Sequence, residues 1–295
     1  MTVHPHPPAV PSPSATLILA RQQDAGLEVY LLRRSAASRF MPGVYVFPGG
    51  NMDADDRDTA FWRKHVDLDA DQLARILDGR VEKMLPFAVT AIRETWEEAG
   101  LLLADPMNHR PCDRDRENGG RPFSSIIRAN GLRLAVSRLG CRHHWVTPEL
   151  MPKRFDTFFF VAPVEKGQQC RPDNHETVHG TWINPRKALA ENQRGSLPLS
   201  PPTLVTLHQM LPFGDLDGLM TETRSRSWPV PITPRLWLLE DSALILEPWD
   251  PEYGRETVSV NVDRLETDVL PVGAPFSRLW HHRGRSLPVR CRGEG

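Results

Sequence analysis

The sequence predicts one composite α/β domain with a helical insert and a C-terminal extension, rather than two independent domains. Three observations carry this. Strand-like apolar segments occupy the first and last thirds, helical periodicity occupies the stretch between them, and no internal repeat is present. The totals agree: 295 residues, 40% hydrophobic and 25% charged, is the balance of a soluble globular chain. A formal net charge of −1 provides no global field toward nucleic acid or a membrane. No apolar run approaches the roughly 20 residues that span a bilayer. Neither partner is therefore expected.

In chain order, residues 1–13 read as a proline-rich disordered leader without the apolar core of a secretory signal. The body is read as residues 14–212, and residues 213–295 as an extension packed on the same domain. "ATLILA" (15–20) and "LEVYLLRR" (27–34) read as strands joined by a turn, and residues 35–50 as a loop and short strand ending "YVFPGG". Residues 57–88 form a polar helical insert, either a flap over the active site or a segment packed on the body. Pro86 is expected to open the next helix as its first residue. "FAVTAIRETWEEAGLLL" (87–103) has apolar residues at helical spacing, with Gly100 near its C-terminus. Residues 104–123 read as loop, 124–139 as a short helical run, "RFDTFFFVAPV" (154–164) and "HGTWI" (179–183) as strands, and 186–193 and 202–211 as helices. "RLWLLEDSALILE" and "ETVSVNV" alternate like strands, and "HHRGRSLPVRCRG" reads as a frayed tail.

Cys112, Cys141, Cys170 and Cys291 are widely spaced without a C-x-x-C pair, which argues against a zinc knuckle or a redox motif; their even number leaves disulfides open, and reduced thiols in a cytoplasm are the simpler reading. The adjacent pairs His143–His144 and His281–His282 diverge on a strand, so neither is expected to share a metal. The chemistry concentrates in "RETWEEAGL" (93–101). Offsets of three and four residues share a helical face, so Glu94, Glu97 and Glu98 project together and repel. An arginine or a metal must offset them. Upstream, Gly49 and Gly50 of "FPGG" permit a tight turn.

Together these segments resemble a split Nudix signature. "RETWEEAGL" is similar to R-E-U-x-E-E-x-G-U (U usually aliphatic), with Thr95 at the first U. Gly50 opens the first half, but Asp56 stands six residues on where that signature has glutamate. Residues 57 to 92, 36 in all, stand where the signature has seven. A box split in this way is similar to the branch containing the peroxisomal coenzyme A diphosphatases. The resemblance implies a Nudix α/β/α sandwich with a mixed sheet, and diphosphate hydrolysis with Mg²⁺ or Mn²⁺. It implies Glu97 and Glu98 as metal ligands, Glu94 as ligand or general base, and the Gly49 carbonyl facing the metal. Arg93 would orient the acids, with Gly50 and Gly100 structural. Asp56 would brace Arg93, or Glu82 would if the insert folds back. Glu176 is the expected downstream metal carboxylate, with Glu149 as its competitor.

Residues 35–50 also fit the frame S-x3-R-x3-G-x3-F-P-G-G, similar to the coenzyme A signature of Nudix diphosphatases, although Leu32 stands where that signature has threonine. By that likeness Arg34, Arg39 and Phe47 bind a coenzyme A-like diphosphate, and the products are 3′,5′-ADP and free or acylated 4′-phosphopantetheine. Two other readings stay open: another nucleoside diphosphate derivative as substrate, and a ligand-binding module without turnover. Many Nudix enzymes are homodimers, and the oligomeric state is left open. The peroxisomal location does not carry over to a chain ending "CRGEG", and a cytoplasmic one is expected.

Overall fold

The computed structural model describes residues 8–38, 41–106, 121–165, 167–173 and 175–291. The chain begins with a hairpin of β1 (Ser12–Gln23) and β2 (Gly26–Arg34), then short β3 (Tyr45–Val46) and β4 (Gly49–Asn51). A 3-10 turn (Asp55–Arg57) leads to α1 (Thr59–Trp62), α2 (Ala70–Ile76) and the long α3 (Val81–Ala99). After β5 (Ala104–Asp105) come α4 (Phe123–Ala129), β6 (Arg133–Leu134), β7 (Gly140–Val146), β8 (Phe155–Pro163) and β9 (Thr177–Ile183). Three helices follow, α5 (Pro185–Arg194), α6 (Pro201–Met210) and α7 (Leu216–Ser225). The chain continues with β10 (Pro231–Ile232), β11 (Arg235–Leu238), β12 (Ala243–Leu246), β13 (Arg278–His282) and β14 (Arg285–Val289).

The main sheet is mixed. Its path runs β10-β7-β8-β1-β2-β3, with β4 beside β1 and β9 beside β2. β1 pairs parallel with β8, from Ser12 opposite Phe155 to Ala20 opposite Pro163, and antiparallel with β2 and β4. Both faces of β1 are buried, and the period of two sorts its side chains. Leu17 and Leu19 join the core shared with α3, while Ile18 and Ala20 join the core shared with α5, α6 and α7. Helices thus cover both faces, giving the α/β/α sandwich. β11 to β14 form a second, antiparallel sheet whose faces divide the same way. Leu236, Ile245 and Leu279 pack into the second core, whereas Leu244, Leu246 and Trp280 form a smaller one outside it.

Several expectations are corrected. β1 begins at Ser12, inside the segment read as leader, and the Ala9 carbonyl accepts a bond from Arg154. α3 begins at Val81, so Pro86 lies within it rather than at its start. The proline forfeits one helical hydrogen bond, but burial of Met84, Leu85 and Ala88 holds the extra turns in place. The run at 124–139 is α-helical only to Ala129, because Gly131 turns the chain at φ 62° into β6, and a single 3-10 turn follows at Val136–Arg138. α7 was not expected. "ETVSVNV" forms no strand, and the supposed tail is the β13–β14 hairpin, with Leu287 and Val289 buried. Of the two readings of the insert, the packing follows the second: Trp62, Leu73 and Leu77 sit in the α3 core, and none of residues 57–92 lines the cavity described below.

Candidate active site

α3 presents its acidic turn to β4, and Arg93 ties the two together. Arg93 is only 4% exposed, yet its guanidinium is fully engaged. Nε donates to Asp56 Oδ1 at 2.9 Å, and Nη2 donates to Asp56 Oδ2 and to the Asn51 carbonyl, both at 2.8 Å. Nη1 donates to Glu94 Oε1 at 2.9 Å and to Glu97 Oε2 at 2.8 Å. Asp56 is fully buried and also accepts from the Asp53 amide and from Thr90 Oγ1, each at 2.9 Å. The shorter acid reaches because the 3-10 turn carrying it packs against α3. Glu82 is exposed and bonded instead to Thr59 and Arg63.

Glu98 Oε2 accepts the Gly49 amide at 2.9 Å, which pins the glycine turn to the helix. Space at the turn is exhausted. A Cβ on Gly49 would lie 2.5 Å from the Ala15 carbonyl oxygen, and one on Gly50 would lie 2.6 Å from the Glu94 carboxylate. Gly100, left-handed at φ 67°, ends α3 one residue after Ala99 and donates to the Trp96 carbonyl.

One arginine does not neutralise three glutamates. Burial pushes the Glu94 carboxyl up to about 7, against the pull of Arg93 and with repulsion from Glu97. Burial also raises Glu97, and burial together with Glu94 raises Glu98 well above the ordinary carboxylate range. Added positive charge would reverse these shifts, and carboxylate oxygens are the donors a hard divalent cation takes. Among the described residues no three acidic, histidine or cysteine side chains form a ready-made cage. Glu94 and Glu97 bond Arg93, and Glu98 bonds Gly49, each through one of the two carboxylate oxygens that can donate to a metal. The donor set fits such an ion in its chemistry.

These glutamates line a cavity of about 810 Å³ together with Arg34, Phe47 and Glu176. Arg34 lowers and Glu176 raises the Glu98 carboxyl, which places both charges near it. The Arg34 side chain also donates to Ser38 Oγ at 3.1 Å. Phe47 is 3% exposed and meets Phe159 edge-on. Glu149 does not line the cavity, and its charge acts on Tyr253. Arg39 lies outside the described residues. The histidines diverge: His143 faces Gln209 while His144 faces Asp156. His281 faces Ser286 while His282 stacks on Trp280.

Sequence reading missed Asn51 and Asp53, which follow the glycines and line the cavity beside Arg93. Their position directly after the turn was a usable signal. It also missed Trp145 and, from the extension, Leu236, Ala243 and Ile245. Nothing local in the sequence ties those residues to the site.

The profile of the family described as "NUDT19 Nudix domain" matches residues 9–210, more than half of the chain. The chain belongs to that family of Nudix hydrolases. A Xenopus laevis protein named acyl-coenzyme A diphosphatase NUDT19 is 25% identical, with 94% of this chain and 86% of that protein covered. A Homo sapiens protein of the same name is also 25% identical, covering 88% of this chain and 82% of its own. A crystal structure of a Nudix hydrolase from Alicyclobacillus acidocaldarius superposes with TM-score 0.59 at 28% identity. It covers 72% of this chain and 96% of its own. This Nudix protein is therefore a hydrolase acting on diphosphate bonds, of a family that generally works with divalent metals. Among its described residues no helix is long and apolar enough to cross a membrane.

Proposed function

We propose that this Nudix hydrolase cleaves the diphosphate of coenzyme A or its thioesters, giving 3′,5′-ADP and free or acylated 4′-phosphopantetheine, with Mg²⁺ or Mn²⁺. The observation that carries the reading is the meeting of two separate sequence signatures in one cavity. Arg34 of the coenzyme A-like loop lies beside Glu98 of the split box. The names of the Xenopus and human relatives support the same substrate class.

Glu97, Glu98 and the Gly49 carbonyl would hold the cation, with Glu176 as a further ligand from the loop before β9. When bound, a divalent cation relieves the charge of the diphosphate and makes a bound water more acidic. Glu94 would take the proton of the attacking water: it lines the cavity beside Glu97 and Glu98, and the charge of a bound cation would lower its burial-raised carboxyl and keep it ionised to accept that proton. Arg93, held by Asp56, would keep Glu94 and Glu97 oriented through charge-assisted bonds. Arg34 and Arg39 would pair with substrate phosphates, and Phe47 would pack on the substrate. Water adds across one P–O–P bridge, and both products leave as phosphate monoesters. Reduced cysteines and a cytoplasmic location complete the reading. A homodimer is its open element, to be settled by light scattering.

The test is product analysis by mass spectrometry, with Mg²⁺ or Mn²⁺ and a panel of coenzyme A, acyl-coenzyme A, NADH, ADP-ribose and nucleotide sugars. Fastest release of 3′,5′-ADP with phosphopantetheine supports the reading. Faster cleavage of another diphosphate keeps the Nudix chemistry and removes the substrate.

A further inference from the structure

We propose that the C-terminal extension builds the far wall of the active-site cavity and selects the acyl-pantetheine half of the substrate, an inference that rests on the coenzyme A reading above. The family profile ends at residue 210, so this wall comes from chain outside it. Leu236, Ala243 and Ile245 of β11 and β12 line the same cavity as the glutamates. Trp145, Phe155 and Phe159 of β7 and β8 line it too. Alternation explains why. Ala243 and Ile245 point to one face of the second sheet, while Leu244 and Leu246 between them fill the separate outer core. Trp145, Phe159, Ile245 and the partly buried Leu236 pack in one apolar cluster.

Sheet register gives the length of the cavity. Asn51, whose carbonyl is bonded to Arg93, pairs with Ser14, Ser14 with Thr157, and Thr157 with Trp145. Three steps between strands of about 4.8 Å put Trp145 some 14 Å from the end where the acids sit. A phosphopantetheine arm has the backbone length of about four extended residues, roughly 14 Å. An arm whose phosphate sits at Glu97 and Glu98 therefore brings its sulfur, and any acyl group on it, to Trp145 and the extension. Apart from His281, which pairs with Ala243, the extension's side of that wall is apolar, and it rewards an alkyl chain more than a sugar or a second nucleotide.

The experiment compares kcat and KM of the full chain on free, acetyl- and octanoyl-coenzyme A with those of three variants. Ala243→Phe fills the far wall and should lower kcat/KM for octanoyl-coenzyme A about tenfold or more beyond its effect on free coenzyme A. Leu236→Ala enlarges the wall and should shift preference toward the longer ester, so a misfolded Ala243→Phe does not end the test. Leu238→Ala, at an exposed position off the cavity, should behave as wild type. Equal changes across the three substrates, or none, would overturn the inference while leaving the coenzyme A reading intact. A wild-type enzyme that ignores all three but cleaves ADP-ribose would overturn both.

Discussion

Asp56→Asn removes one charge from the most enclosed ion pair of the active site and leaves its shape unchanged. Asp56 is fully buried, and its carboxylate accepts from Arg93 Nε and Nη2, Thr90 Oγ1 and the Asp53 amide. Removing one partner of a buried pair typically costs about 3–5 kcal/mol. Arg93 keeps Glu94, Glu97 and the Asn51 carbonyl, so the lower end applies, about 3 kcal/mol. In a chain of this size that is a fall of roughly 6–10 °C in Tm. Turnover should fall as well, because Arg93 orients the proposed base and a proposed metal ligand. Asp56→Glu restores the usual residue of the signature but forces a methylene into an enclosed site, at a cost of about 1–3 kcal/mol. Urea denaturation, thermal melts and initial rates would be measured on both variants and on Glu82→Gln, which should match wild type. An Asp56→Asn protein as stable as wild type, or a Glu82→Gln protein that loses activity, would refute the brace.

Replacing Glu97 or Glu98 by Gln should lower kcat by about a hundredfold or more and weaken Mn²⁺ binding while the protein stays folded; calorimetry with the metal and initial rates check this. Trp62→Ala should cost about 3–5 kcal/mol in urea denaturation, because that side chain is fully buried beneath α3 and is not part of a mobile cover. Glu247→Gln addresses a buried carboxyl without a hydrogen-bond partner among the described residues, pushed up to about 8 by burial. Its folded value lies above the unfolded one, so the native carboxyl stays protonated at low pH, and wild type loses stability as pH rises from about 4.5 to 8. The variant should be of similar stability near pH 4.5 and gain on the order of 5 kcal/mol by pH 8. A gap that does not widen over that range would defeat the assignment.

Where the sequence was legible, the pattern was local and strong. β1 shows as an apolar run buried on both faces, and α3 as a helical stripe with an acidic turn that no core position explains. Asp56 was readable as the candidate brace, but its reach was not, because that depends on a 3-10 turn packing against α3. The start of α3 was hidden by Pro86, a residue that ends most helices and here sits among buried Met84, Leu85 and Ala88. "ETVSVNV" misled for the opposite reason. Its alternation is that of a strand, but Val262 is 57% exposed and no neighbouring strand pairs with the segment. The cavity wall was beyond reach, because Ile245 packs with Trp145, and Ala243 shares the cavity with it, only through long-range folding.

The split of the signature is cheap in energy for a reason the fold makes plain. Lengthening a connection from seven residues to 36 is little more than two doublings, about 1.4 kcal/mol of added closure entropy before any contact forms. Arg93 closes that connection by bonding Asp56 and Asn51, 37 and 42 positions away in sequence. The added segment then joins the core instead of dangling: Trp62, Leu73 and Leu77 pack with Met84 and Ile92 of α3. A single buried tryptophan is worth about 3–5 kcal/mol on truncation, more than the closure cost. The insert therefore behaves as a buttress for the helix that carries the glutamates. Shortening it should weaken the helix before it changes which substrates enter.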